Sequence, residues 1–110
     1  MTGIGGCRSS GKLTADKQII TGTGKVISIH GICTGAVSAM IELYDVDSAS
    51  DIAASNSVGA LALKKSASGD FTFAEADMHG VIFKVGLYAD ITYATGSSNA
   101  FFWVEYNWGI

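Results

Sequence analysis

In Gly80-Val-Ile-Phe-Lys-Val-Gly-Leu-Tyr-Ala-Asp-Ile-Thr-Tyr93 apolar side chains return at every second residue. Val81, Phe83, Val85, Leu87, Ala89 and Ile91 fall on one side of an extended chain, with Lys84, Gly86, Tyr88 and Asp90 on the other. A helix, with its period of 3.6, would scatter these positions around its circumference, whereas a period of two gathers them on one face of a pleated strand. The segment therefore predicts one long half-buried strand, with Gly86 marking a bend or bulge in its middle.

The same alternation runs through most of the chain. Ile19-Ile20 and Lys25–Cys33 give the first strand signals, separated by the turn Thr21-Gly-Thr-Gly24. In the second of these, Cys33 alternates with Ile27 and Ile29 and reads as a small buried hydrophobe. Val37–Tyr44 sets Val37, Ala39, Ile41 and Leu43 against Glu42 and Tyr44. Val58–Lys64, with Leu61 and Leu63 on one face, and Phe71-Thr-Phe73 form two strands joined by the short loop Ser66–Asp70. A last strand, Ala100–Tyr106, follows the loop Thr95–Asn99 and carries aromatic rings on both faces. Ser48–Ser57 is the stretch most tolerant of a short helical turn. Strands broken by turns about every ten residues, with no helical window, predict an all-β fold: a single antiparallel sandwich or barrel.

The first sixteen residues differ. Met1 to Asp16 contains four glycines and two serines and almost no large apolar side chain, so it has little burial to offset the entropy of ordering. The expected organisation is a flexible arm over residues 1–16 and a β-sandwich domain over 17–110. A chain of 110 residues suits one domain with one core, burying roughly 65% of the surface its unfolded form exposes. With 48% hydrophobic and only 15% charged residues, it has little of the charge that keeps an isolated monomer solvated, which favours a partner surface.

Composition also sets functions aside. A net charge of −3 with seven scattered basic residues offers no stripe for phosphates, so nucleic acid is not an expected partner. No window approaches the roughly 18 apolar residues of a membrane span, and the N-terminus lacks a basic segment followed by an apolar run, so a soluble chain made in the cytoplasm is expected. Two cysteines, Cys7 and Cys33, could pair but do not make the dense framework of a small secreted domain; free thiols are the expectation.

Motifs that would carry chemistry are incomplete. Gly24-Lys25 lacks the earlier glycine of a phosphate-binding loop and is followed by Val26 rather than Ser or Thr. Asp45, Asp47 and Asp51 alternate as calcium-loop ligands do, but Ser50 stands where the loop needs glycine and Asn56 where it needs glutamate, which favours a polar turn capped by Asp and Ser side chains. His30, Cys33 and His79 have no paired spacing to organise zinc. No Gly-x-Ser-x-Gly elbow occurs, no histidine–carboxylate pairing is visible, and Asp70, Glu75, Asp77, Asp90 and Glu105 can be combined into too many pairs to single out one. No catalytic residue, metal or cofactor is predicted.

Phe101-Phe-Trp103, Tyr106 and Trp108 have two readings: alternate rings filling a core, or rings left outside as a subunit contact or a sugar-stacking platform. Lys64-Lys65 reads as a solvated strand end, and the basic residues of the arm as groups that could meet an acidic partner. The predicted partner contacts are Arg8, Lys12 and Lys17, with Phe102, Trp103 and Trp108 of the closing strand.

Ala39-Met-Ile-Glu-Leu-Tyr-Asp45, Gly80-Val-Ile-Phe-Lys-Val-Gly-Leu-Tyr88 and the closing Val104-Glu-Tyr106 give the region from Lys25 to Tyr106 an order of strands and turns that resembles small bacteriophage virion proteins, particularly capsid decoration (cement) proteins. The resemblance implies a jelly-roll-like sandwich displayed on the outside of a phage head, no catalysis, and assembly with the major capsid protein and with copies of itself, often as trimers. The aromatic ending departs from that pattern. A carbohydrate- or receptor-binding module on the same fold is the alternative, using Trp103 or Trp108 as its platform.

Overall fold

The computed structural model describes residues 7–34, 37–65, 70–94 and 100–109. Their strands are β1 (Arg8–Ser9), β2 (Lys17–Thr21), β3 (Gly24–Cys33), β4 (Ala39–Tyr44), β5 (Ser57–Leu63), β6 (Thr72–Phe83), β7 (Gly86–Tyr93) and β8 (Ala100–Trp108). They form two antiparallel sheets, one ordered β1-β8-β3-β6 and the other β2-β7-β4-β5, packed together as a β-sandwich. Each strand pairs with the one that completes a long hairpin: β1 with β8, β2 with β7, β3 with β6, β4 with β5. Two further pairings, β3–β8 and β4–β7, roll that hairpin into the two sheets.

One core lies between the sheets. Val26, Ile29 and Cys33 of β3, with Phe102 and Val104 of β8, meet Ile41, Leu43 and Leu87 from the other side, all fully buried. Burying each of the larger side chains contributes about 1.5–3 kcal/mol, so the alternating apolar set is what holds the sheets face to face.

The long run Gly80–Tyr93 is not one strand. It divides into the end of β6 and the whole of β7, which belong to different sheets, with Lys84-Val85 turning the corner. Period-two alternation survives because both sheets turn their apolar faces to the same core: Phe83 before the corner and Leu87 after it are equally buried. Val85, assigned to the buried face, lies on the corner and is exposed. Gly86 opens β7 directly after the corner, where a Cβ would collide with the Val46 carbonyl oxygen.

Asp45 fastens this corner from across the molecule. Its carboxylate accepts from the backbone N–H of Lys84 (2.9 Å), Val85 (2.7 Å) and Gly86 (3.2 Å). Burial opposes ionisation, but the three amide donors outweigh it and hold the carboxyl below its ordinary value. The acidic turn after Tyr44 thus serves as a backbone cap, and Ser48 likewise caps a short 3-10 turn, Ala49–Asp51, by accepting from the Ser50 N–H. A second such turn, Ala54–Asn56, leads into β5.

A second break in alternation falls in β3. Val26 pairs with Tyr106 and Ser28 with Glu105, so Ile27 is an extra residue and the inward side switches from Val26 to Ile29. Ile27, grouped by spacing with Ile29 and Cys33, is consequently only half-buried.

The expected arm is also revised where it is described. Residues 1–6 lie outside the described residues, but Arg8–Ser9 pairs with Tyr106–Glu105 and Leu13 bridges to Phe102, with backbone bonds of 2.8 and 2.9 Å between them. Leu13 is only 9% exposed and packs into the core. Burial alone is a poor guide to such a segment, because the open edge of β8 supplies hydrogen-bonding partners that a single leucine then anchors. The sandwich therefore begins before Lys17.

Candidate functional site

The outward residues of β8, β3 and β6 form rows across the first sheet. Phe101, Ile32 and Phe73 make one row, Trp103, His30 and Glu75 the next, and Glu105, Ser28 and Asp77 a third. Alternation alone explains their exposure, since each flanks a buried neighbour such as Phe102, Val104 or Ile29.

His30 is the hub of this face. Its ring stacks on Trp103 with centroids 5.1 Å apart and planes 11° apart, and lies 6.4 Å from the Phe73 ring on its other flank. Nδ1 is 2.8 Å from Glu105 Oε1, which also accepts from Ser28 Oγ at 2.9 Å. The carboxylate thus holds the imidazole from one side and sets its tilt, with a proton on Nδ1 between them, while the opposite nitrogen, Nε2, is not engaged by Glu105. Because Ser28 and His30 share one carboxylate oxygen, the histidine does not activate the serine as a base would in a catalytic triad. The arrangement fixes ring orientation, which suits stacking contact.

Two cation–ring contacts run along β8, one on this outer face and one at the strand's far end. Lys12 Nζ lies 4.1 Å from the Phe101 ring centroid and Arg8 Cζ 5.4 Å from that of Trp108. Such contacts are worth about 0.5–1 kcal/mol at exposed sites and here tie the N-terminal segment to β8.

The outer face of the second sheet has different chemistry. Glu42 accepts from Ser57 Oγ at 2.6 Å and Tyr44 Oη at 2.8 Å, and these two bonds hold its carboxyl below the ordinary range. The Glu42 bond in turn pushes the Tyr44 phenol up to about 12. Asp90, opposite Glu42 in register, is pushed upward by burial and then by the neighbouring Asp16 carboxylate. Asp16 Oδ1 meanwhile accepts from the Ile91 N–H at 2.8 Å.

Of the predicted contact residues, Trp103 is half-buried in the ring row, and Arg8 and Lys12 lie along β8. Trp108 is 58% exposed at the end of β8. Lys17 is exposed on β2 in the opposite sheet, so it does not join them. Phe102 is corrected: it is fully buried, because inward alternation on β8 places it in the core, and it has no surface to offer a partner. His30, Glu105 and Phe73 were missed. Positions 30 and 105 are 75 residues apart and meet only through the β3–β8 register, a long-range pairing that no local spacing announces.

The cysteines are unbridged, Cys7 exposed and Cys33 buried. Cys33 faces the core while His30 faces out, so the histidine–cysteine proximity in sequence places the two on opposite sides of the sheet. Among the described residues no group of three or more His, Cys, Asp or Glu side chains is placed to hold a metal ion, and no helix is long and apolar enough to cross a membrane.

Two open hollows adjoin β5, the first against β4 and β7 and the second against β6. One, of about 370 Å³, is bounded by Met40, Ala62, Leu63 and Tyr93; another, of about 440 Å³, by Ala62, Lys64, Thr72 and Phe73. Phe73 is 62% exposed and Phe71 74%. Comparison with protein-family models, curated proteins and solved structures finds no match for this chain.

Proposed function

We propose that this chain is a structural virion protein of the capsid-decoration kind, made in the host cytoplasm and bound to the outside of a phage head. Its work is adhesion, through contacts with the major capsid protein and with copies of itself. The observation that carries this reading is the placement of apolar surface: Met40, Phe71, Phe73, Ile82, Val85 and Trp108 all stand exposed on a chain with only 15% charged residues. Large apolar groups in water at strand ends and corners are what a protein–protein contact covers. Many copies each burying modest area add strength through linked contacts. The pairing of β1 with β8, β2 with β7, β3 with β6 and β4 with β5 is compatible with a jelly-roll-like path and supports the same reading.

The test is cosedimentation of the purified chain with phage heads stripped of accessory proteins. Saturable binding that weakens at least about tenfold in the Phe71→Ser/Phe73→Ser double variant is expected. Absence of binding at micromolar concentration refutes the proposal.

A carbohydrate- or receptor-binding module is the second reading, favoured by one observation: rings and carboxylates alternate on the first sheet's outer face, with Trp103, His30 and Phe73 beside Glu105 and Glu75. Saturable glycan binding lost on Trp103→Ala or Trp108→Ala would replace the capsid reading with this one.

A further inference from the structure

The two sheets have four open edges among the described residues, and three carry features that discourage a further strand. β1 is two residues long; β2 begins with Lys17 and shifts register between Gln18 and Ile20. β6 bears Glu75 and Asp77 and is interrupted where His79 and Gly80 take left-handed φ of 54° and 70°. Short strands, edge charges and bulges are the usual means of blunting an edge. β5 has none of them over Gly59-Ala-Leu-Ala-Leu63, which contains no charge and no proline. Its one irregularity, at Val58, lies at the N-terminal end.

We infer that two copies of this chain join through that edge, β5 against β5 in antiparallel, to make one continuous eight-stranded sheet across a two-fold axis. The inference deepens the reading of the chain as a self-associating structural protein by naming where copies meet. A two-fold axis perpendicular to the sheet keeps both inner faces on the same side, so residues of like alternation must lie opposite each other. Centred on Leu61, the pairing sets Ala60 against Ala62 and Gly59 against Leu63, all small or apolar.

Charge at the two ends of β5 selects the antiparallel direction and a second copy as the occupant. Lys64 and Lys65 follow the strand directly and are exposed, and neither side chain forms an ion pair among the described residues. Acidic groups mark the other end: Ser57 Oγ donates to Glu42 at 2.6 Å, and Asn56 Nδ2 donates to the Asp51 carbonyl at 3.1 Å, which holds Asp51 nearby. Antiparallel pairing brings Lys65 of each copy beside Ser57 of the other, so a basic end meets an acidic end twice. Parallel pairing would set lysine beside lysine. Met40, exposed and opposite Ala62 on β4, extends the apolar surface outward over the hollow of about 370 Å³.

Sedimentation equilibrium of the full chain from about 1 to about 500 μM tests this. A concentration-dependent dimer is expected, monomeric throughout in Ala60→Lys/Ala62→Lys, whose positions are exposed and leave the core intact. Lys64→Glu/Lys65→Glu, which lies outside the strand and needs no change within it, weakens the dimer about tenfold or more, and adding Asp51→Lys restores part of the loss. Circular dichroism checks that each variant is folded. A trimer, or a dimer indifferent to all of these substitutions, overturns the β5 contact while leaving self-association standing. A chain that stays monomeric at every concentration overturns β5 pairing, and the separate cosedimentation with heads then decides the capsid reading on its own.

Discussion

The two sheets share one core and have four strands each, yet their outer faces offer different chemistry. On the first sheet, rings stand among carboxylates: Phe101, Trp103, His30 and Phe73 share the face with Glu75, Asp77 and Glu105, bordered by Lys12. On the second, hydroxyls and carboxylates dominate: Tyr44, Ser57, Glu42, Asp90 and Asp16. A face of rings gains from being covered, whereas a face of crowded carboxylates repels an acidic neighbour and must be desolvated before contact. The difference teaches that the two faces differ in what covering them would cost: the rings and the uncharged β5 edge lose little on leaving water, whereas Glu42, Asp90 and Asp16 would first have to be desolvated.

The sharpest way to break that comparison is to cross from outside to inside on a single strand. Phe102→Ala removes a fully buried ring and should cost about 3–5 kcal/mol in urea unfolding, whereas Phe101→Ala, one residue away on the outer face, should cost about 1 kcal/mol or less. Equal losses at both positions would deny that β8 has an inside and an outside.

Next in size is Asp45→Ala, which strips an acceptor from three amides at the corner joining the sheets, with an expected loss of about 2–3 kcal/mol near neutral pH. The folded carboxyl lies below its unfolded value, so its contribution is fully present above the unfolded pKa and disappears as pH falls through the folded one. Unfolding free energies measured down the acid limb should therefore converge for the wild type and Asp45→Ala at low pH.

On the ringed face, a double-mutant cycle between Trp103→Ala and His30→Ala should return a coupling of about 0.5–1.5 kcal/mol for the stack. A coupling of zero would reduce the ring row to unrelated exposed side chains.

The smallest effect has the opposite sign. Asp90 is pushed upward by burial and by Asp16, so its ionised form is disfavoured in the folded state and a penalty appears as pH rises through the unfolded pKa and then the folded one. Asp90→Asn should stabilise the protein by about 0.5 kcal/mol at pH 7, with the gain vanishing in acid. Loss of stability at pH 7 would show that the carboxylate is favourably held, and the contrast between the two faces would narrow.

Neighbouring residues of the same segment show how far sequence reaches. Leu87 and Ala89 were assigned inward from alternation and are buried, but the same rule placed Val85 inward, where a corner exposes it. Alternation records which side of the chain meets a core, and it is blind to which sheet a strand enters, because both sheets face that core. Leu13 was passed over since one leucine among glycines gives no periodic signal; the open edge of β8 made it part of the sandwich. The β5 edge was legible as composition, Gly-Ala-Leu-Ala-Leu, but only strand order reveals that it has one neighbour.

The amino-acid sequence by itself determined an antiparallel all-β domain, the inward side of most strands, and a chain poor in charge, because side-chain period and composition act locally. Tertiary structure alone decided that Gly80–Tyr93 changes sheets, that Asp45 clamps the corner, and that His30, Trp103 and Glu105 share one face. Those outcomes depend on register between strands tens of residues apart, and register is settled by which pairing closes a single core, a property of the whole chain rather than of any segment of it.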